Sequence, residues 1–172
     1  MSSTEYFDTV ACDWDAMRTA FFSEAVRDRA FAAEGVERGK IAADIGAGTG
    51  FITEGLIGRG LKVFTVDQSA AILTEMRRKF AAHDGIDYRV TGAQSLPIPD
   101  ASVDYAFANM FLHHVEHPGK ASREMACIQK PGGKLIITDL DEHCFVFLTT
   151  EHHDRWMGFN RDDIRQWCLA AD

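Results

Sequence analysis

Three glycines at alternate positions, Gly46, Gly48 and Gly50, follow an apolar run that ends in Asp44-Ile45, and a second apolar run, 61–66, ends in Asp67. This pattern suits nucleoside binding. Glycine lets the backbone take positive φ and lie close against a ligand, with only Ala47 and Thr49 between the three. A helix starting near Phe51 aims its free N–H groups and the positive end of its dipole at that ligand. A carboxylate at the tip of the neighbouring strand accepts both hydroxyls of a ribose, the task expected of Asp67. The dinucleotide fingerprint requires glycine at the first, third and sixth positions. Counted from Gly46, the sixth position is Phe51, which crowds the helix–strand approach that a third glycine would permit.

The run Asp44-Ile-Gly-Ala-Gly-Thr-Gly50 resembles motif I of the class I S-adenosylmethionine-dependent methyltransferases. Residues 92–139 are similar throughout to the central block of the subfamily that includes the ubiquinone/menaquinone-biosynthesis and arsenite methyltransferases. The matching pieces are 93–97, Pro99-Asp100, Val103-Asp104, Leu112-His113-His114-Val115, Glu124 and Lys130-Pro131-Gly132-Gly133. The resemblance implies methyl transfer from S-adenosylmethionine to a small-molecule acceptor by in-line displacement, leaving S-adenosylhomocysteine. It places the methionine tail over Gly46, Ala47, Gly48, Thr49 and Gly50, with Asp44 meeting the ammonium. Asp67 takes the ribose and Gln68 lies beside the adenine. Asn109 and Met110, just past the fourth strand, border the sulfonium. The family's usual aspartate before its Ala-Glu pair is replaced here by Gly92, ahead of Ala93 and Gln94. The adenine then relies on the Ala93 backbone and the Gln94 side chain, and weaker cofactor binding is expected. A non-catalytic S-adenosylmethionine- or S-adenosylhomocysteine-binding protein and a nucleotide-dependent oxidoreductase are the alternative readings.

Methyl transfer needs a base only where the acceptor must lose a proton. Candidates are His113, His114, His117, His143, Asp139 and Asp141, of which His143 could reach the cleft from its carboxyl-end rim. His113 and His114 are expected to pack and bond around the loop after the fourth strand. The spacing of His113, His114 and His117 and the His152-His153 pair invite a metal reading, but His117-Pro118 breaks the helical register, so loop and surface histidines and no metal are expected. Four scattered cysteines, Cys12, Cys127, Cys144 and Cys168, form no CxxC pair. Cys127 and Cys168 read as small core residues, and a reduced, cytoplasmic setting follows.

The elements that must position these residues alternate between strand and helix, which predicts an α/β, doubly wound, mostly parallel sheet of the Rossmann-like class I methyltransferase type. Strands are expected at 41–45, 62–66, 87–90, 103–108 and 134–139. Helices are expected over 14–34, 51–59, from Ser69 until Gly85, over 118–129, and after Asn160. One domain is expected, with 1–38 as a helical lid and 39–172 as the cofactor-binding core. In the lid Tyr6, Phe7 and Trp14 can roof the sulfonium. The chain stops where the strand-six and strand-seven hairpin of such folds would begin, so an uncovered strand-five edge and homo-oligomerisation through it are expected.

Composition sets the outer limits. With 172 residues, 46% hydrophobic, the chain can bury one ordinary core. No stretch is long and apolar enough to span a membrane, and the acidic, polar N-terminus is no secretory signal. A formal charge of −8 repels phosphate backbones, so no nucleic-acid partner is expected. Arg77-Arg78-Lys79 reads as a solvated helix face.

Overall fold

The computed structural model describes residues 3–19 and 21–170. A five-stranded, all-parallel sheet runs in the order β3-β2-β1-β4-β5, with β1 Ile41–Ile45, β2 Lys62–Asp67, β3 Ile86–Val90, β4 Val103–Asn109 and β5 Gln129–Thr138. The three inner strands read as apolar runs because both faces of the sheet are covered. Their side chains alternate between two cores. Ala42, Tyr105, Phe107 and Ile136 meet Phe31, Phe51 and Leu56 on one face. Ala43, Ile45, Ala106 and Ala108 meet Met125 and Ile128 on the other. The first face is covered by α3 Glu24–Glu34 and α4 Phe51–Gly58, the second by α6 Pro118–Cys127 and α8 Arg161–Leu169. Between β2 and β3 lies α5 Ala70–Lys79, and α7 Val146–Glu151 follows β5.

Two caps expected from sequence are formed. Ser69 Oγ accepts the Ile72 N–H at 3.0 Å, and Asn160 Oδ1 accepts the Asp162 N–H at 2.9 Å. The basic run at the end of α5 is exposed, and its Lys79 Nζ reaches Asp15 at 3.1 Å.

Four expectations are corrected. The helix expected over 14–34 is two helices, α2 Trp14–Arg18 and α3, separated at Ser23 by extended backbone; Ala20 lies outside the described residues. The break lets two arginines turn inward: the Arg18 guanidinium sits 4.5 Å and that of Arg27 5.0 Å from the Phe51 ring centroid. Next, α5 stops at Lys79 rather than near Gly85, with the Phe80 N–H donating to the Met76 carbonyl at 3.0 Å. Third, β5 starts at Gln129: Val103 pairs with Gln129 but Tyr105 with Lys134, so residues 130–133 bulge out of the ladder. Lys130 Nζ then bonds Asp104 Oδ2 at 3.0 Å. Finally, Cys127 is exposed rather than core, because α6 turns Ala121, Ser122 and Met125 inward.

β5 forms one edge of the sheet, the edge from which association between copies is expected. The turn expected toward a sixth strand would fall partly on Ala171 and Asp172, outside the described residues. Among the described residues no helix is long and apolar enough to cross a membrane.

Candidate functional site

The strand order reverses between β1 and β4, and in an open parallel sheet a ligand crevice forms at the carboxyl ends of the strands at such a point. The floor of that crevice is the turn from β1 into α4. The Gly46 and Ala47 N–H groups both bond to the Val66 carbonyl, at 2.8 and 3.0 Å, which pins the turn against β2. Glycine is required at two places. Gly46 has φ +72°, and a Cβ there would stand 2.1 Å from Cδ2 of Phe111. Gly50 has φ +92° and faces Phe80 and Met76, where a Cβ would stand 2.5 and 2.8 Å from the nearest atoms.

Two carboxylates hold the turn from either side. Asp67 Oδ2 accepts the Gly48 N–H at 3.0 Å, and its Oδ1 accepts the Ser69 N–H at 2.9 Å. Loss of hydration still raises the Asp67 pKa, although these N–H groups pull it down. Asp44 is 1% exposed, and its Oδ2 accepts both the N–H and the hydroxyl of Thr53, at 3.0 and 2.7 Å. Burial pushes the Asp44 carboxyl up to about 7.

The residues singled out by sequence converge here. Asp44, 46–49, Asp67, Gln68, Asn109 and Met110 line one cavity. Ala93 and Gln94 line a second, of about 350 Å³, which shares Gly46, Asp67, Gln68 and Phe111 with the first. Gly50 lines neither, and acts instead as the left-handed residue that opens α4. Met110 is held at φ +49° by its N–H bond to the Thr138 carbonyl, while Thr138 donates to Asn109 Oδ1 at 2.6 Å. Such a backbone at a non-glycine residue costs on the order of 1 kcal/mol and aims the chain end of β4 into the cleft.

The N-terminal helices lie over this floor. In α1 Ser3–Val10, Asp8 accepts the Ser69 hydroxyl at 2.5 Å, and Asp15 of α2 accepts the Thr49 hydroxyl at 2.5 Å. Phe7 and Trp14 meet edge to face at 5.1 Å and wall the first cavity. A third, largely apolar cavity continues from Met110 between Tyr6, Phe22 and Leu148. At its rim the Tyr6 hydroxyl bonds His152 Nδ1 at 3.0 Å.

His113 and His114 pack around the loop after β4, as expected, but the reading of them as loop and surface histidines is corrected. His113 and His114 are not surface residues: their side chains are 5% and 9% exposed. Asp139 is the reason. Its Oδ2 accepts the Phe111 and Leu112 N–H groups at 3.2 and 2.8 Å, folding residues 112–114 into a 3-10 turn, and its Oδ1 meets His113 Nδ1 at 2.6 Å. Asp154 completes the group. His117 begins α6 ahead of Pro118, as expected. His143 accepts the Phe145 N–H at 3.1 Å and stacks on that ring. Asp141 sits outside the cleft in a two-bond pair with Arg161, at 2.8 and 2.6 Å. Sequence reasoning missed Asp154, Phe111 and the Tyr6–His152 pair, which no local motif marks.

Fold and cleft together define a doubly wound protein with a ligand crevice at its switch point. A family model described as a methyltransferase domain matches residues 43–137, more than half of the chain. The chain belongs to the S-adenosylmethionine-dependent methyltransferases of class I. It is 30% identical over 155 residues to a ubiquinone/menaquinone biosynthesis C-methyltransferase UbiE of Pectobacterium atrosepticum, covering 85% of this chain and 62% of that protein. With a demethylmenaquinone methyltransferase of Renibacterium salmoninarum it shares 34% identity over 113 residues, 66% of this chain and 46% of that one. The chain thus spans about half to three fifths of these relatives' length. Among solved structures, a Haloferax volcanii methyltransferase in complex with the activator Trm112 superposes with a TM-score of 0.84 at 23% identity, covering 96% of this chain and 75% of that one. A Haemonchus contortus phosphoethanolamine N-methyltransferase holding S-adenosylhomocysteine gives 0.82 at 21% identity, over 99% of this chain and 44% of that one.

Proposed function

We propose that the chain transfers the methyl group of S-adenosylmethionine to a small, partly apolar acceptor. The supporting observation is the continuity of the cleft. The carboxylate-rimmed glycine turn leads past Asn109 and Met110 into an apolar cavity roofed by α1 and α2. The donor set suits the cofactor piece by piece. Asp67 keeps lone pairs beyond those used by Gly48 and Ser69 for the ribose hydroxyls, and Asp44 offers its second oxygen to the ammonium. The cavity beside Ala93 and Gln94 takes the adenine. When bound, the sulfonium supplies an activated methyl group, so the protein's main task is alignment. Residues 1–38 act as the lid: Phe7 and Trp14 exclude water from the reacting centre, and their ring faces attract a cation. The acceptor enters the Tyr6–Leu148 cavity.

Calorimetric titration with S-adenosylmethionine, S-adenosylhomocysteine and NAD, followed by transfer of labelled methyl to a panel of small acceptors, tests this reading. Saturable binding of the two sulfur ligands and turnover with one acceptor are expected. Binding of NAD alone would make the protein an oxidoreductase, and binding without turnover on any acceptor would make it a binder.

The adenine side carries its own prediction. Gly92 has open space where a Cβ would stand, so an aspartate there can accept from the adenine amino group. A charge-assisted hydrogen bond contributes about 1.5–3 kcal/mol. Gly92→Asp is therefore expected to tighten S-adenosylhomocysteine binding about tenfold, read as a lower Kd by calorimetry.

A further inference from the structure

Beneath the acceptor cavity two imidazoles and a carboxylate converge with no hydrogen bond among them. Asp154 Oδ1 lies 3.8 Å from His113 Nε2 and 3.7 Å from His114 Nδ1, too far for either nitrogen to donate to it. The three donor atoms stand within 4.8 Å of one another, and all three residues line the cavity below Tyr6 and Met110. Their side chains are 5%, 9% and 4% exposed for His113, His114 and Asp154.

The outer partner of His113 fixes which of its nitrogens faces inward. His113 Nδ1 is held by Asp139 Oδ1 at 2.6 Å, which commits that nitrogen to carrying a proton and leaves Nε2 facing Asp154. The His114 Nδ1 is buried and makes no hydrogen bond. With no hydrogen-bond partner beside it, Nδ1 is free to offer its lone pair to an ion. An unpartnered acceptor in a buried site is costly, and here it also faces a carboxylate. A cation between the three donors removes that repulsion and meets every lone pair at once.

We propose that His113 Nε2, His114 Nδ1 and the Asp154 carboxylate form a site for a divalent first-row transition metal, its open position facing the apolar cavity. The donor chemistry suits such an ion: two imidazoles and one carboxylate leave coordination positions for an exogenous ligand. Donors around an ion at about 2.0–2.2 Å stand roughly 3.3–3.6 Å apart, so small rotations of the Asp154 and His114 side chains close the present gaps. Asp139 behind His113 is the carboxylate–histidine–metal arrangement that orients a ligating ring. The scaffold is stiff where it must be. The Arg155 and Trp156 N–H groups both bond to the His113 carbonyl, at 2.9 and 3.1 Å, and His153 adopts φ +59° to turn Asp154 inward. The exogenous ligand is a small oxygen or sulfur donor whose apolar body fills the cavity. Metal binding at this place needs no cofactor, so it stands or falls separately from methyl transfer.

The test uses the full chain, stripped of metal by chelator and titrated with Zn²⁺ by calorimetry and with Co²⁺ by visible absorption. One equivalent of each is expected, with Co²⁺ giving d–d bands of a low-coordinate nitrogen–oxygen site. His114→Gln and Asp154→Asn should abolish the bands, and Asp139→Asn should weaken binding about 10–100-fold. Should these variants fail to fold, the unaltered chain decides the matter by proton NMR with Co²⁺. Two exchangeable, hyperfine-shifted imidazole N–H resonances are expected, from His113 Nδ1–H and His114 Nε2–H. Absence of binding, bands that persist in both variants, thiolate-to-cobalt charge transfer from an exposed cysteine, or absence of the shifted resonances would each overturn the assignment.

Discussion

Asp67→Ala is expected to raise the Kd for S-adenosylhomocysteine by about 100–1000-fold, measured by calorimetry, while the chain stays folded. The size follows from two losses that occur together. The carboxylate that would take the ribose hydroxyls disappears, and a charge-assisted hydrogen bond contributes about 1.5–3 kcal/mol. The Gly48 and Ser69 N–H groups also lose the oxygens they meet at 3.0 and 2.9 Å, so the glycine turn is no longer tied to the β2–α5 junction. A combined effect of about 3–4 kcal/mol corresponds to two or three decades in Kd. The fold tolerates the change because the turn keeps its separate anchor, the Val66 carbonyl that accepts from Gly46 and Ala47. Asp67→Asn retains one oxygen and is expected to fall between the two. A Kd within threefold of the unaltered chain would remove Asp67 from the cofactor site.

Asp67 was legible in the sequence for the same reason that the strands were. A carboxylate directly after an apolar run that is buried on both faces has few uses besides the strand tip. The runs at 41–45, 62–66 and 103–108 each became a strand within about one residue of the expected bounds. Ser69 and Asn160 were legible as caps because capping is a local act, completed within three residues. Elements that depend on distant partners were not legible. Arg18 and Arg27 look like solvent-facing residues of one long helix. Their burial depends on the Phe51 ring and on the Phe51 carbonyl, which accepts from Arg27 at 3.0 Å, and that ring belongs to a helix beyond β1. His113 and Asp154 are 41 residues apart, and their segments are joined by the two backbone bonds to the His113 carbonyl and by Trp156 Nε1, which donates to the Val115 carbonyl at 2.7 Å. The packing of His113 and His114 around the loop after β4 was therefore legible, but not their burial against Asp139 and Asp154, which come from distant segments.

Asp44 carries the second large expectation, a proton linkage. Its folded-state carboxyl titrates at about 7, against 3.8 for the ordinary side chain, because burial disfavours the charge more than the two Thr53 bonds favour it. The folded state thus holds a proton that the unfolded chain gives up between those values. Stability from this group is full below about pH 4, declines as pH rises toward 7, and is level above that. The full decline is about 4 kcal/mol, at 1.36 kcal/mol per unit. A cofactor ammonium placed against the free oxygen reverses the preference, since a positive charge at hydrogen-bond distance favours the carboxylate. Binding below pH 7 must therefore expel the proton. The Kd for S-adenosylhomocysteine is expected to fall as pH rises from 6 to 8, changing by up to tenfold per unit at the acid end. Titrations at pH 6 in two buffers of different ionisation enthalpy should register close to one proton released, and near pH 8 almost none. Asp44→Asn should lose the release and bind with a pH-independent Kd. A thioether nucleoside without the amino group should show no release even with the unaltered chain, which isolates the ammonium as the partner. A flat Kd between pH 6 and 8 for S-adenosylhomocysteine would mean that Asp44 serves α4 through Thr53 and never meets the ligand.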